Sequence, residues 1–374
     1  MQQQNKNSEF EGFCYSGERF ADLQMLRYRL NGFESLSLRQ KLYVYYLSKA
    51  TLAGRDITTD QFGFYNLDIR KVLEAVYVNY QGNKECEDFI AMTIYLKRIW
   101  FSNGIYHHYG SEKFAPEFSP AFLLDAMKSI EPSLLPLAKG ETVDGLFDRL
   151  KSAIFDHSFL PKKVNKADGC DLVATSACNF YHNVSQHEVE DYYSSLKATV
   201  DKNPPSFGLN SRLVKQNGEL IEQVWKIDGM YSKAIEIIVS YLRQAAEYAE
   251  NEQQQKIISL LISYYQTGDL RVFDKYSIEW LKEQDGRIDF INGFIEVYND
   301  PLGVKASWEG IVEYKDLVAT RRTRTISDNA QWFEDNSPVD SRFKKKIVKG
   351  VTANVVCAAM LGGSVSTTMA STYL

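Results

Sequence analysis

Residues 290–310, FINGFIEVYNDPLGVKASWEG, decide the fold prediction because they read as an apolar strand, a turn and a second strand. A solvated loop would not require an apolar run around Phe294, and an ordinary core strand would not contain Glu296. The turn residues N-D-P-L-G at 299–303 separate this strand from a second extended run at 308–314. The segment therefore predicts two strands, the first of which carries a carboxylate.

The sequence before this segment predicts further strands and helices. Apolar-rich residues at 207–214 and 220–225 flank Asn217-Gly218, the dipeptide that best accepts the positive φ angles of a tight hairpin turn. Apolar residues at helical spacing then predict three helices, the second ending at Gly268 and the third capped by Asp269. The middle of the chain is thus predicted to be an α+β unit.

The N-terminal half carries helix signals instead. Ser37 and Gln40 have the spacing of a capping box, in which each side chain binds the other residue's backbone N–H. Ser119 before Pro120 is a second helix start, because proline in the first turn loses no hydrogen bond. We predict a helical layer that extends to about residue 200.

Composition narrows the classes of function. With 374 residues, 44% of them hydrophobic, the chain can bury a sizeable core, and its length allows about two domains. A formal net charge of -5 gives no field that would attract nucleic acid or an anionic membrane. No signal peptide and no apolar run of membrane-spanning length is evident. We expect a cytoplasmic protein without nucleic-acid or membrane partners, and its oligomeric state is left open.

The sequence contains no complete catalytic set of a known class. His187-Glu188 begins like a zinc motif, but Asp191 stands where H-E-x-x-H requires the second histidine. Ser185 and Glu188 fit a capping box better. The adjacent pair His107-His108 has no nearby carboxylate or cysteine, so we interpret it as packing, and no metal site is assigned.

Glu296 allows two interpretations. A carboxylate inside an apolar strand is partly desolvated if the strand packs, so it should have a cationic partner. That partner can be an internal lysine or arginine, or the side chain can face solvent on the alternating strand. A functional carboxylate would instead hold the ammonium group of a ligand. The residues alone leave both open.

Several segments resemble the dipeptidyl peptidase III family of zinc aminopeptidases. The run FIEVYNDPLG is similar to the family's F-I-E-S-Y-x-D-P-x-G, and further agreement lies at HYGSEKF (108–114), FGLNSRLVK (207–215) and YYQTGDL (264–270). The segment NAQWFEDNSPVD (329–340) resembles the bacterial, Bacteroides-like branch most. The likeness extends from about Phe20 to Gly363.

The resemblance implies a fold and an activity. Members of this family release dipeptides from the N-termini of short peptides. They have a wide cleft between a first lobe, with helices and a five-stranded β-barrel, and a mostly helical second lobe. The second lobe holds zinc on H-E-x-x-x-H and E-E-x-R-x-E motifs. Neither motif occurs in these 374 residues. We therefore expect no zinc here and an N-terminal part that is inactive alone; a non-catalytic peptide-binding protein is the alternative.

The resemblance also implies domain bounds and site residues. Residues 1–200 would form the helical part of the first lobe, 201–316 its mixed part, and 317–374 a truncated start of the second lobe. Four residues would bind a short peptide. Glu296 would hold its N-terminal ammonium, Tyr298 would hydrogen-bond near the scissile carbonyl, Tyr109 would line an aromatic subsite, and Glu309 would face the cleft.

The C-terminal residues depart from the family. After A-A-M-L-G-G at 358–363, relatives continue with a strand containing G-I-N-L-P-N, whereas this chain reads SVSTTMASTYL. Codons for Met369 to Leu374 can be chosen so that another reading frame encodes Gly-Ile-Asn-Leu-Pro. We therefore expect a frameshift in this region.

Overall fold

A computed structural model describes residues 12–200, 202–349 and 354–363. The proposed frameshift at 364–374 lies outside the described residues. The helices, in chain order, are α1 Leu38–Ala53, α2 Arg55–Gln61, α3 Asn66–Asn79, α4 Glu87–Ser102, α5 Pro120–Lys128, α6 Val143–Phe155, α7 Gln186–Ala198, α8 Ser232–Tyr248, α9 Glu252–Thr267, α10 Leu270–Lys282, α11 Leu317–Asp328 and α12 Ala330–Asn336. The strands are β1 Ser16–Phe20, β2 Leu23–Leu26, β3 Tyr181–His182, β4 Ser211–Gln216, β5 Glu219–Val224, β6 Ile288–Glu296, β7 Ser307–Lys315 and β8 Val356–Gly363.

These strands form small separate sheets, so the α+β class is confirmed and the five-stranded β-barrel is not. β1 pairs with β2, β3 runs parallel to β4 beside β5, and β6, β7 and β8 form an antiparallel sheet. Within the described residues no sheet closes, because the β4–β5 hairpin pairs with β3 and leaves β6 and β8 as edges of the longer sheet. The domain bounds at 200 and 316 stay a prediction.

Local sequence signals placed many element ends correctly. Ser37 and Gln40 form the predicted capping box of α1, and the Ser119 side chain caps α5. Asn217 and Gly218 connect β4 to β5 with φ angles of 51° and 86°. Gly268 ends α9 in the left-handed conformation. These signals are confirmed because each depends only on neighbouring backbone groups.

The largest core cluster packs α1, α8 and α9 against β6 and β7. Its centre is aromatic, with Trp225 and Phe294 at 4.7 Å between ring centroids. Trp308 is fully buried and donates its indole N–H to the Tyr265 hydroxyl at 3.1 Å, and Tyr265 donates in turn to Asn292 at 2.6 Å. A second cluster joins α3, α4, α5 and α6. The strand that carries Glu296 is therefore anchored in the core up to its last residues.

Candidate functional site

Glu296 is the last residue of β6, and its side chain is exposed. Strict alternation would put it on the face of buried Phe294, but the register shifts between Phe294 and Glu296, which leaves one extra residue in β6. This β-bulge turns Glu296 away from the core. The desolvation and internal ion pair considered for this carboxylate are therefore not found among the described residues. Its role in holding an ammonium group stays a prediction.

The turn after Glu296 is held by Asp300, which is buried. Oδ2 of Asp300 accepts hydrogen bonds from the backbone N–H of Lys305 at 2.7 Å and of Val304 at 2.8 Å, and from the Tyr181 hydroxyl at 2.8 Å. Burial raises the pKa of Asp300, while these donors oppose the shift. The aspartate of the N-D-P-L-G run therefore fixes the turn that presents Tyr298.

Tyr109 and Tyr298 line the same cavity, whose volume is about 700 Å³. One wall is formed by residues 108–111, another by residues 162–167, and Tyr298 and Asn299 complete the lining. A cavity of this size lies within the usual range of roughly 300–1,000 Å³ for small-ligand sites. The structure thus brings together two of the four predicted site residues, which lie almost two hundred residues apart in the sequence.

Backbone hydrogen bonds connect the two main walls. Nδ1 of His107 accepts from the backbone N–H groups of Tyr109 and Gly110 at 3.2 and 3.1 Å, which shapes the loop that carries Tyr109. The N–H of Lys163 then donates to the Ser111 carbonyl at 2.8 Å. His107 therefore has a structural role, whereas its neighbour His108 lines the cavity.

Lys163 lies in the second wall and was not singled out by sequence reasoning. It is 4% exposed, and its Nζ lies 4.3 Å from the centroid of the Phe62 ring. Burial lowers the pKa of Lys163 to about 8. Burial also lowers the pKa of His108 to about 4, with a smaller effect from His107 and Lys163. The run K-K-V-N-K at 162–166 gives no local signal that its second lysine is buried.

Glu309 does not lie at this cavity. It is buried in β7, where its cross-strand neighbours are Gly293 on β6 and Gly363 on β8. Glu309 therefore does not line the cavity that Tyr109 and Tyr298 share, and its place in a substrate cleft stays a prediction.

The described residues do not provide a metal site. No cluster of three or more histidine, cysteine, aspartate or glutamate side chains in that part of the chain could hold a metal ion. Ser185 and Glu188 form the predicted capping box, and exposed His187 contacts Asp191 at 2.9 Å. Separately, none of the described helices contains an apolar run that could span a bilayer.

Comparisons with a family model and with curated proteins point to the same family. The model of peptidase family M49 matches residues 176–350. Dipeptidyl peptidase 3 of Dictyostelium discoideum is 23% identical over 344 residues, which cover 85% of this chain and 48% of that protein. The human dipeptidyl peptidase 3 is 22% identical over 353 residues, which cover 84% and 46%.

Solved structures agree in fold. The structure of DPP III from Caldithrix abyssi superposes with a TM-score of 0.60 and 18% identity, over 89% of this chain and 51% of that one. Dipeptidyl-peptidase III from Corallococcus sp. strain EGB gives a TM-score of 0.55 and 16% identity, over 90% and 50%. The chain spans about half the length of the curated relatives it matches. From these matches, the chain belongs to the dipeptidyl peptidase III family.

Proposed function

We propose that this chain is the peptide-binding part of a dipeptidyl peptidase that releases dipeptides from the N-termini of short peptides. The observation that carries the proposal is the cavity that Tyr109 and Tyr298 share, with Glu296 two residues before Tyr298. In the proposed complex the peptide ammonium lies at Glu296, and the following residues lie across the two tyrosines. An aromatic wall suits this role because rings contact any side chain or peptide plane with little loss of entropy.

The exposure of Glu296 limits what this contact contributes to affinity. Ion pairs between solvent-exposed groups are typically worth about 0.2–1 kcal/mol, which corresponds to a change in affinity of about 1.4- to fivefold. The ammonium contact therefore sets the position of the peptide rather than most of its affinity. The two tyrosines are expected to supply the larger apolar contribution.

Binding of tripeptide amides by isothermal titration calorimetry tests the proposal. We expect the Glu296→Gln variant to bind an unblocked peptide about two- to fivefold more weakly, and N-acetylation of the peptide to weaken binding to wild type by a similar factor. The two changes should not add, since each removes the same contact. Glu219→Gln is the matched control, because Glu219 is also an exposed glutamate at a strand end but does not line the cavity. Equal affinity of acetylated and free peptides for wild type would contradict the proposal.

We further propose that these residues bind peptide without hydrolysing it, and that short peptides reach the chain in the cytoplasm. Dipeptidyl-naphthylamide hydrolysis by the purified chain, measured with and without added zinc, separates this from an active peptidase. Binding without hydrolysis is also the behaviour of the alternative, a non-catalytic peptide-binding protein. Hydrolysis that depends on added zinc would contradict both.

A further inference from the structure

We propose that the cavity between residues 108–111 and 162–167 binds a carboxylate group of the peptide, and that Lys163 is the residue that recognises it. The inference rests on the proposed function, because it names the chemistry of the peptide that the same site selects. The carboxylate has two sources in a short peptide, an acidic side chain or the C-terminus.

The charge of the lining is the first observation. Three lysines, Lys162, Lys163 and Lys166, and His108 line the cavity, and among the described residues no aspartate or glutamate lines it. Cavities lined by one sign of charge concentrate ions of the opposite sign. A peptide ammonium is therefore disfavoured in the cavity, in contrast to the end of β6, where Glu296 is exposed.

The surroundings of Lys163 are the second observation. A buried charge is normally paired or hydrogen-bonded, because removing it from water is costly. Lys305, which is fully buried, lies near Tyr193, Ser211 and Glu222, and buried Lys113 donates to the carbonyls of Asp156 and Phe159.

Lys163 differs from these two buried lysines. Within the described residues its Nζ donates no hydrogen bond and forms no ion pair, and its neighbours are the face of Phe62 and the thiol of buried Cys178. A cation over an aromatic ring still has donors to offer, so an incoming carboxylate would complete its coordination. Lys163 therefore has the chemistry of an anion receptor.

His108 adds a second polar group to the same wall. Its Nδ1 is buried and has no hydrogen-bond partner among the described residues. Because the pKa of His108 lies near 4, the imidazole is neutral at pH 7 and carries a single N–H. It can therefore accept or donate one hydrogen bond beside Lys163 without adding charge.

The reach of a peptide fits both ends of the site. Glu296 and Tyr298 are two residues apart, a span of at most about 7 Å, and each peptide residue extends about 3.5 Å. A peptide whose ammonium lies at Glu296 can therefore place a carboxylate from its first few residues in the cavity that Tyr298 lines.

The test compares tripeptides that differ only in carboxylates. The four probes are Ala-Ala-Ala amide, Ala-Ala-Ala with a free C-terminus, Ala-Asp-Ala amide and Ala-Asn-Ala amide, titrated calorimetrically into the 374-residue chain at low salt. We expect Ala-Asp-Ala amide, the free acid, or both to bind about tenfold more tightly than their neutral counterparts, as charge-assisted hydrogen bonds allow. The peptide that binds more tightly than its neutral counterpart identifies the source of the carboxylate.

Lys163→Met removes the ammonium and keeps an apolar chain over Phe62, so the advantage of the acidic peptide should disappear. The tighter binding of the acidic peptide should persist in Lys163→Arg, which keeps the charge. It should also persist in the control variant Lys139→Gln, because Lys139 is exposed and does not line the cavity. Equal affinities of all four peptides for wild type would overturn the inference, even where no Lys163 variant folds. Tighter binding of the acidic peptide by a folded Lys163→Met variant would also overturn the inference.

The two proposals fail separately. Loss of discrimination between acetylated and free amines, with the carboxylate preference retained, would contradict the role of Glu296 and leave the cavity inference standing. The reverse pattern would contradict the cavity inference alone.

Discussion

Replacing Asp300 by asparagine tests whether one buried carboxylate holds the turn beside the cavity. Its two oxygens accept three backbone N–H groups, from Leu302, Val304 and Lys305, and the Tyr181 hydroxyl. Asparagine has nearly the same shape but no charge, and its amide nitrogen cannot accept a hydrogen bond. At least one backbone N–H therefore faces a donor in the variant.

The magnitude follows from these bonds. A hydrogen bond to a charged group contributes about 1 kcal/mol more than a neutral one, so the four bonds together lose about 4 kcal/mol. Part of this stability is regained, because the variant has no buried charge that must be removed from water. The cost of that burial in wild type is seen in the raised pKa of Asp300. We expect the free energy of unfolding to fall by about 2–3 kcal/mol.

Urea titration followed by tryptophan fluorescence measures this change, since Trp225 and Trp308 are buried in the core. The matched control is Asp269→Asn. Asp269 is the exposed N-cap of α10, where asparagine serves as well as aspartate, so its cost should stay below about 0.5 kcal/mol. If Asp300→Asn were as stable as this control, the assignment of the turn's rigidity to Asp300 would be refuted.

Two further substitutions test the packing and electrostatics of the strand that follows the turn. Gly54→Ala should destabilise the protein by about 1–3 kcal/mol in the same titration, because a Cβ at this position would overlap the Trp308 ring although the backbone φ of -82° is ordinary. For Glu313, burial and then repulsion by the like charge of Asp289 raise the pKa to about 7. The folded state then holds a proton that the unfolded state has lost, so wild-type stability should fall as the pH rises from about 4.5 to 7. Glu313→Gln should remove this slope. The full pKa shift corresponds to a change of about 3.4 kcal/mol in the free energy of unfolding, which the partial exposure of Glu313 reduces to about 1–2 kcal/mol. An unchanged pH slope in Glu313→Gln would contradict the assignment of the slope to Glu313.

Turn and cap chemistry could be predicted from the sequence because it acts over a few residues. The hairpin at Asn217-Gly218 requires positive φ at two neighbouring residues, and the cap at Ser185 requires one acceptor three residues before its partner. The same locality explains why N-D-P-L-G was correctly interpreted as a turn. Its aspartate, however, also bonds Tyr181 more than a hundred residues away, which no local rule indicates.

The features that the sequence did not reveal depend on distant contacts. The bulge that exposes Glu296 arises from the pairing of β6 with β7, whereas strict alternation predicts a face shared with Phe294. The burial of Lys163 results from its contact with Phe62, about a hundred residues earlier. Composition and periodicity describe single elements, so they predicted the strand. Tyr109 and Tyr298 were implied by the family resemblance, and neither source predicted the cavity that joins them.

The two proposals together imply one orientation for the bound peptide. In the proposed arrangement an acid lies at the end of β6, cations line the cavity, and Tyr298 lies between them. A peptide bound in the reverse direction would place a carboxylate against Glu296 and an ammonium among three lysines, and both contacts would be repulsive. Orientation would then depend on opposite charges at two places rather than on a tight fit at either. This explains how an exposed glutamate worth less than about 1 kcal/mol can still set the register of a bound peptide.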